Sequence, residues 1–393
     1  MKFAKRVVAA LIAAILAFSM VACHEANEVV ASYDDIEITG GMYLAMLLEA
    51  DGTARTLADE QNETDTAIDD YGKVKIKTDD GEVKYYDYVK DEAKKLIRQF
   101  IATATLSDEY EVTLSDEDKA GLDAYISYIW DTYGYGVMYE ENGVGRSSYT
   151  EYLKNSGYLR GNLFNAIYGK EGKTPVKEEE LKKYMNENYC IANIISEPLS
   201  STDENGNTFT LTQDEQKDLL GKLNAYADRL TKGDADFETI YHEHSGTEHK
   251  DEDTADTTDT EDTADTTDTA DTASSDAETA EDEDAAPTQL DPHATLLSSE
   301  ETGSESENFD EIYKMKTGEV KVIQGEDAYT LVVKGDIAAD PYYLYSLDDT
   351  LRQLIKGDDF NNLLDEEGGK LDIKYNEGEI SYLSPKKINY DVY

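Results

Sequence analysis

From Val7 to Phe18 the chain carries no charged residue, and after a short polar stretch Val29 to Ile38 alternates apolar and polar like a strand. Thr39 then stands where a helix N-cap belongs, before an apolar face that includes Met42, Leu44, Ala45 and Leu48. Residues 51–84 lose that rhythm and read as a loop or small hairpin. Helical spacing returns from Tyr86 to Tyr110 through Val89, Ala93, Leu96, Ile97, Phe100 and Ile101. Ser115 opens another helix with an acidic first turn, and its spacing predicts an inner side of Leu122, Tyr125, Ile126, Ile129, Trp130 and Tyr133. Shorter helices are expected over Tyr149 to Lys154 and Tyr158 to Tyr168.

Past Pro175 the pattern changes class. A charged helix from Val176 to Asn188 leads into a short apolar strand, Cys190 to Ile195. Thr212 with Glu215 forms a capping-box pattern ahead of Leu219, Leu223, Tyr226 and Leu230, and Asp236 opens a second helix through Tyr241. Further on, a strand is expected over Ala294 to Ser298, a helix over Phe309 to Met315, and strands over Glu319 to Ile323 and Ala328 to Lys334, the last two joined by a tight turn. Tyr342 to Lys356 and Phe360 to Glu366 read as helices, and Ile373 to Tyr375 as extended chain. The middle of this region is interrupted. From Thr247 to about Pro287 the chain repeats Asp-Thr units with almost no large apolar side chain, which leaves it too little surface to bury to offset ordering.

Composition narrows the reading. The formal charge is −50, and Glu248 to Asp284 hold 17 acidic residues against Lys250 alone. Such a field repels phosphate backbones, so nucleic acid is not an expected partner. Repeated acids without the central Gly and bidentate Glu of a calcium loop do not define a calcium site. The start of the chain has the layout of an export signal, with Lys2, Lys5 and Arg6 before an apolar run too short for the roughly 20 residues a spanning helix needs. It ends in Ser19-Met-Val-Ala-Cys23, which resembles a bacterial lipobox and implies processing before Cys23 and a lipid on it. With Cys23 taken up in this way, Cys190 is the one cysteine left, and no intramolecular disulfide is possible. Tyrosine is abundant, 29 residues against 8 Phe and one Trp, which suits half-buried helices or a sticky outer groove.

Several segments, in order, resemble the PrsA and SurA class of extracytoplasmic foldases. Val30-Ala-Ser-Tyr-Asp-Asp-Ile-Glu-Ile-Thr39 is similar to the opening of their chaperone domains. Leu181-Lys-Lys-Tyr-Met-Asn-Glu-Asn188 looks like the linker helix entering a parvulin-type isomerase domain. Leu230-Thr-Lys-Gly233 with Asp236-Phe237 and His244-Ser245 resembles that domain's helix pair, and Phe309-Asp-Glu-Ile-Tyr-Lys-Met-Lys-Thr-Gly-Glu-Val320 its closing helix, turn and strand. Tyr375-Asn-Glu, Tyr382 and Ser384-Pro-Lys-Lys-Ile388 look like the returning segment of the chaperone domain. The resemblance implies an α+β chain: a helical chaperone domain from 23–175 and 338–393, and an inserted parvulin-like domain from 176–246 and 293–337. The signal peptide is 1–22, and the acidic insertion, expected to be disordered, is 247–292. It implies a chaperone held extracytoplasmically at the bacterial membrane by the lipid on Cys23, whose partners are unfolded or nascent exported proteins, received in a tyrosine-lined cleft between helices 86–133 and the C-terminal helices. A non-catalytic scaffolding lipoprotein is the alternative.

A parvulin lowers the rotation barrier of about 18 to 20 kcal/mol by desolvating the twisted amide, so its pocket residues matter individually. By the resemblance, Asn193 stands where the first pocket histidine is expected and Thr330 where the second is. The acidic tract replaces the expected Cys or Asp after Ser245, and Glu305 a methionine. Phe309 is the retained pocket aromatic. Isomerase catalysis is therefore expected to have degenerated. No cofactor is implied, and no metal: His242, Glu243, His244, His249 and His293 lack the spacing of a helical zinc pair. Gly172-Lys173-Thr174 lacks the first glycine of a phosphate loop, with Ile167 in its place, and Cys190 reads as a small core residue.

Overall fold

The structure, a computed structural model, describes residues 28–62, 68, 70–79, 81–202, 206–246, 286–299 and 308–390. The export signal, Cys23, His249, Glu305 and the acidic tract as far as 285 lie outside the described residues. The described residues form two compact α+β units: one from those up to Val176 together with those from Arg352 onward, the other from Lys177 to Leu351.

In the first unit the alternating stretch is a hairpin rather than one strand. β1 (Val29–Tyr33) and β2 (Ile36–Thr39) pair antiparallel, with Tyr33 opposite Ile36. Asp34 makes the reversal possible at φ +52°, a left-handed conformation that Asp tolerates better than most residues. The Thr39 hydroxyl accepts the Met42 amide at 3.4 Å and starts α1 (Gly40–Glu60). This helix runs ten residues further than its large apolar residues suggest. Its buried stripe passes to Ala50, Ala54 and Ala58, and the buried Asp51 is paired one turn along with Arg55. The hairpin β3 (Lys75–Thr78) and β4 (Gly81–Lys84) leads into α2 (Tyr85–Glu109).

Reciprocal hydrogen bonds between Ser115 and Asp118 cap α3 (Asp116–Ser127). The helix then widens over Tyr128–Thr132, where the Tyr133 amide reaches back five residues to the Tyr128 carbonyl at 3.0 Å. α4 (Tyr135–Glu141) and α5 (Arg146–Leu153) follow, then a second widened turn at Lys154–Leu159 and α6 (Arg160–Tyr168). From the C-terminal part, residues 352–370 close one end of this core: Phe360 and Leu364 pack on Ala102, Leu106, Leu163, Phe164 and Ile167. Beyond them β11 (Lys374–Tyr375) pairs with β1, giving the sheet order β11–β1–β2, and α12 (Glu377–Tyr382) leads to the end of the chain. Two expected C-terminal helices are one, α11 (Pro341–Lys370). Gly357 costs a helix about 1 kcal/mol relative to Ala, too little to break it.

The second unit is a four-stranded antiparallel sheet of order β8–β5–β10–β9. Its parts are α7 (Glu178–Asn188), β5 (Tyr189–Pro198), the small hairpin β6 (Ser200–Thr202) and β7 (Thr208–Thr210), α8 (Gln213–Lys232), α9 (Phe237–Ser245), β8 (Ala294–Ser298), α10 (Phe309–Lys314), β9 (Val320–Gln324) and β10 (Ala328–Lys334). Side chains alternate across the sheet, so each face has its own core. Cys190, Ala192, Ile194 and Val332 meet Phe309, Ile312 and Met315 on one face. On the other, Ile195 and Leu331 meet Leu223, Phe237 and Ile240. Burial on both sides explains why β5 reads as a continuous apolar run.

Candidate functional site

The sheet brings some of the expected pocket positions together and separates others. Asn193 lies opposite Val333 and Thr330 opposite Ser196, three pairs apart on adjacent strands, so the two side chains leave by opposite faces. Thr330 is buried on the Phe309 side, its hydroxyl 3.3 Å from the Ser196 hydroxyl. Asn193 faces the α8–α9 side and donates from Nδ2 to the Asp291 carboxylate at 2.8 Å, which ties down the segment that re-enters after the acidic tract. The neighbour that shares Thr330's face is Ile194, opposite Val332. Phe309 is 7% exposed, stacks on Tyr313 at 5.4 Å and packs within the core of its face. A small apolar patch results, with a hydroxyl pair and no titratable group at either histidine position. Cys190 is buried on that face, and burial pushes its thiol pKa up.

His242 stands edge-on to His293 with ring centres 6.4 Å apart, and the histidines otherwise turn to different partners. His244 lies 3.4 Å from Glu197, His242 lies 3.9 Å from Glu238, and His293 packs against Tyr241 at 4.6 Å. No group of three His, Cys, Asp or Glu side chains fit to hold a metal occurs among the described residues.

The helical unit offers more. The widened turn at Tyr128–Thr132 shifts the phase of the residues that follow it; of the expected inner side only Leu122 and Ile126 are buried, Tyr133 just past the turn faces outward, and Tyr125, on regular helix before it, is exposed as well. Tyr125, Tyr128, Tyr133, Tyr135 and Val137, all within thirteen residues, expose between 38% and 57% of their surface. Tyr133 sits edge-on to Tyr128 at 4.8 Å and stacks on Tyr135 at 5.6 Å. Below this ladder Trp130, Tyr139 and Tyr149 form a second aromatic group with centroids 4.5 to 5.4 Å apart. Gly136 is required there, because a Cβ would lie 2.4 Å from Trp130 Cδ1.

On the same unit lies an open groove of about 700 Å³, with Phe100, Leu114, Leu122 and Leu159 along its walls and Asn155 among its lining residues. A smaller cavity of about 230 Å³ shares Phe100 and Asn155 with it. Tyr152 lines the smaller space and donates to Glu49 at 2.5 Å; Arg160 donates to Gln99 at 3.3 Å and to Asn361 at 2.5 Å. Burial holds the Arg160 guanidinium below its usual pKa. The expected tyrosine-lined cleft thus differs from what forms. The groove is lined by Leu, Phe and polar side chains, and the exposed tyrosines make a separate outer ladder. Asn155 itself escapes sequence reasoning; its one trace there is Asn155-Ser156-Gly157, helix-poor residues between two helical stretches.

No protein-family model and no curated protein matches the chain. Among solved structures it is similar to PrsA from Bacillus subtilis, with 16% identity over 76% of this chain and 91% of that one and a TM-score of 0.26. It is also similar to the foldase protein PrsA from Streptococcus pneumoniae, with 14% identity over 78% of this chain and 96% of that one and a TM-score of 0.34. Among the described residues no helix is long and apolar enough to cross a membrane.

Proposed function

We propose that the chain is an extracytoplasmic chaperone of the PrsA kind, which holds unfolded segments of exported proteins against its helical unit. The observation that carries this reading is the exposed tyrosine ladder. Tyrosine presents apolar area with a wet tip at low entropic cost, so five exposed apolar residues in one short stretch form an adhesive surface that tolerates many sequences. Helical chaperone segments 23–175 and 338–393, with a parvulin-like domain between them, are the domain plan that accompanies it. Cys23 carries the lipid that holds the chain at the membrane, and the charge of −50 keeps the protein surface itself off anionic headgroups.

The parvulin-like sheet works as a binding or spacing module without catalysis. Phe309 is packed into the core of its face, and Asn193 and Thr330, which stand at the expected histidine positions, bond to Asp291 and Ser196.

At stoichiometric amounts the chain should suppress aggregation of chemically denatured citrate synthase, and a Tyr128→Ser/Tyr133→Ser/Tyr135→Ser variant should lose most of that effect. No suppression by the parent favours a scaffolding lipoprotein instead, and undiminished suppression by the variant would remove the tyrosine ladder as the surface that holds clients. In a protease-coupled Xaa-Pro peptide assay the rate should stay at the uncatalysed level; catalysis abolished by Phe309→Ala would restore the isomerase.

A further inference from the structure

The tyrosine ladder lacks what tyrosines elsewhere in the same unit have. Lys173 Nζ lies 3.4 Å from the ring centre of Tyr110, Lys387 Nζ lies 3.8 Å from that of Tyr382, and the Arg55 guanidinium lies 4.2 Å from that of Tyr390. Among the described residues no Lys or Arg lies over the rings of Tyr125, Tyr128 or Tyr133, although Tyr128 is 47% and Tyr133 57% exposed. The ring geometry suits a cation. Tyr133 meets Tyr128 at 88° with centres 4.8 Å apart, and Tyr135 lies nearly parallel to Tyr133, at 18° and 5.6 Å. Two rings at a right angle form a corner whose walls are both ring faces, the arrangement that aromatic cages use for organic cations.

The charge carried by the same stretch has the matching sign. From Ser115 to Arg146 the chain holds seven Asp or Glu residues against Lys119 and Arg146. Both of those cations are committed. Lys119 pairs with Asp116 at 2.9 Å; Arg146 pairs at 3.3 Å with Asp131, in the widened turn between Tyr128 and Tyr133, and donates to Ser127 Oγ at 2.9 Å. The other five carboxylates have no ion pair among the described residues. Their field attracts a cationic partner and repels an acidic one, while an uncharged apolar segment gains nothing from it.

We infer that the ladder selects cationic segments: a Lys or Arg side chain of an unfolded exported protein enters the corner between Tyr128 and Tyr133. Its methylene stem runs along the rings, and its charge is held by their faces and by the carboxylates of the stretch. The residues around the basic side chain can vary, because neither the ring faces nor the field reads them. The inference rests on the chaperone reading for the origin of the segment and names the class of segment that the ladder takes.

The test uses the full chain and a fluorescein-labelled Gly-Ser-Arg-Gly-Ser-Arg-Gly-Ser-Arg peptide, with binding read by anisotropy. A second peptide carries citrulline at each Arg position, which keeps the planar hydrogen-bonding head and removes the charge. It should bind about tenfold more weakly. Tyr128→Leu/Tyr133→Leu keeps apolar area and net charge but removes the ring faces, so it should weaken the Arg peptide by about the same factor and narrow the gap between the two peptides. Equal affinity for the Arg and citrulline peptides, which needs no variant to fold, overturns the cation preference. An unchanged gap in the double Leu variant overturns the corner and assigns the preference to the overall charge of the chain. If the chain suppresses citrate synthase aggregation and the two peptides bind alike, this inference fails and the chaperone reading stands. If the Arg peptide is preferred through the ladder and aggregation proceeds unchecked, the chaperone reading is the one that fails.

Discussion

An Arg55→Leu variant is expected to lose roughly 3 kcal/mol of stability, near the lower end of the cost of stripping a buried carboxylate of its cation. Asp51 is 2% exposed in the middle of α1, and Arg55 Nε donates to its Oδ2 at 2.8 Å. The guanidinium also lies between two rings, 4.5 Å from the centre of Tyr71 and 4.2 Å from that of Tyr390. Tyr390 belongs to the C-terminal strap, which is fastened beside it by reciprocal bonds between Asn142 and Asn389, each at 2.8 Å. One arginine therefore neutralises a buried charge and clamps the end of the chain to α1. Arg55→Lys restores the charge without the planar stack and should recover only part of the loss. A double variant, Asp51→Leu/Arg55→Leu, should be less damaged than Arg55→Leu alone, because no uncompensated charge remains. Urea midpoints at neutral pH measure all three, and a shift worth under about 1 kcal/mol for Arg55→Leu, against the range quoted for broken buried pairs, would sink the account.

The same pair shows where sequence reading stops. The first half of α1 announces itself through large apolar residues at helical spacing and a capping threonine. The second half carries its stripe on alanines and buries an aspartate, so it looks like loop until the partner four residues on is seen to neutralise it. The sheet of the second unit was legible because strand and helix rhythms differ and because Thr212, Glu215 and Asp236 cap their helices as written. The hairpin β6–β7, with exposed residues on both strands, has no apolar alternation to reveal it. At the candidate site, residue types were readable and directions were not. Nothing in the pattern of α3 shows that a widened turn will follow it and leave Tyr133 outward, since that depends on a hydrogen bond reaching five residues instead of four. Similarly, Asn193 and Thr330 are each near the expected positions by count, and only the strand register puts them on opposite faces.

Raising the pH should unfold the helical unit cooperatively a little above the ordinary tyrosine range, with tyrosine ionisation and loss of helix arriving together. Burial, followed by the nearby Glu49 carboxylate, pushes the Tyr152 phenol far above its usual pKa; burial likewise raises Tyr149, then the neighbouring Tyr139. Tyr85 and Tyr390 are raised by burial and then by Asp51, and Tyr43 by burial and then by Glu377. In the other unit burial and Asp340 push Tyr343 up to about 12. A phenol is neutral when protonated, so a folded pKa above the unfolded value of about 10 means that its stabilisation is fully present below pH 10 and drains away as pH rises beyond it. Tyr152, 4% exposed, withdraws about 1.4 kcal/mol for each pH unit above 10 while it stays protonated in the fold. Three fully buried phenols on one unit, Tyr43, Tyr85 and Tyr152, together withdraw roughly 8 kcal/mol over about two pH units, on the scale of a whole stability of roughly 5 to 15 kcal/mol. Absorbance at 295 nm and helical circular dichroism, followed from pH 9 to 13, should share a steep transition, and Tyr152→Phe should make it shallower. Smooth ionisation of the buried tyrosines with the helix signal unchanged would mean that these side chains are open to water in the folded protein.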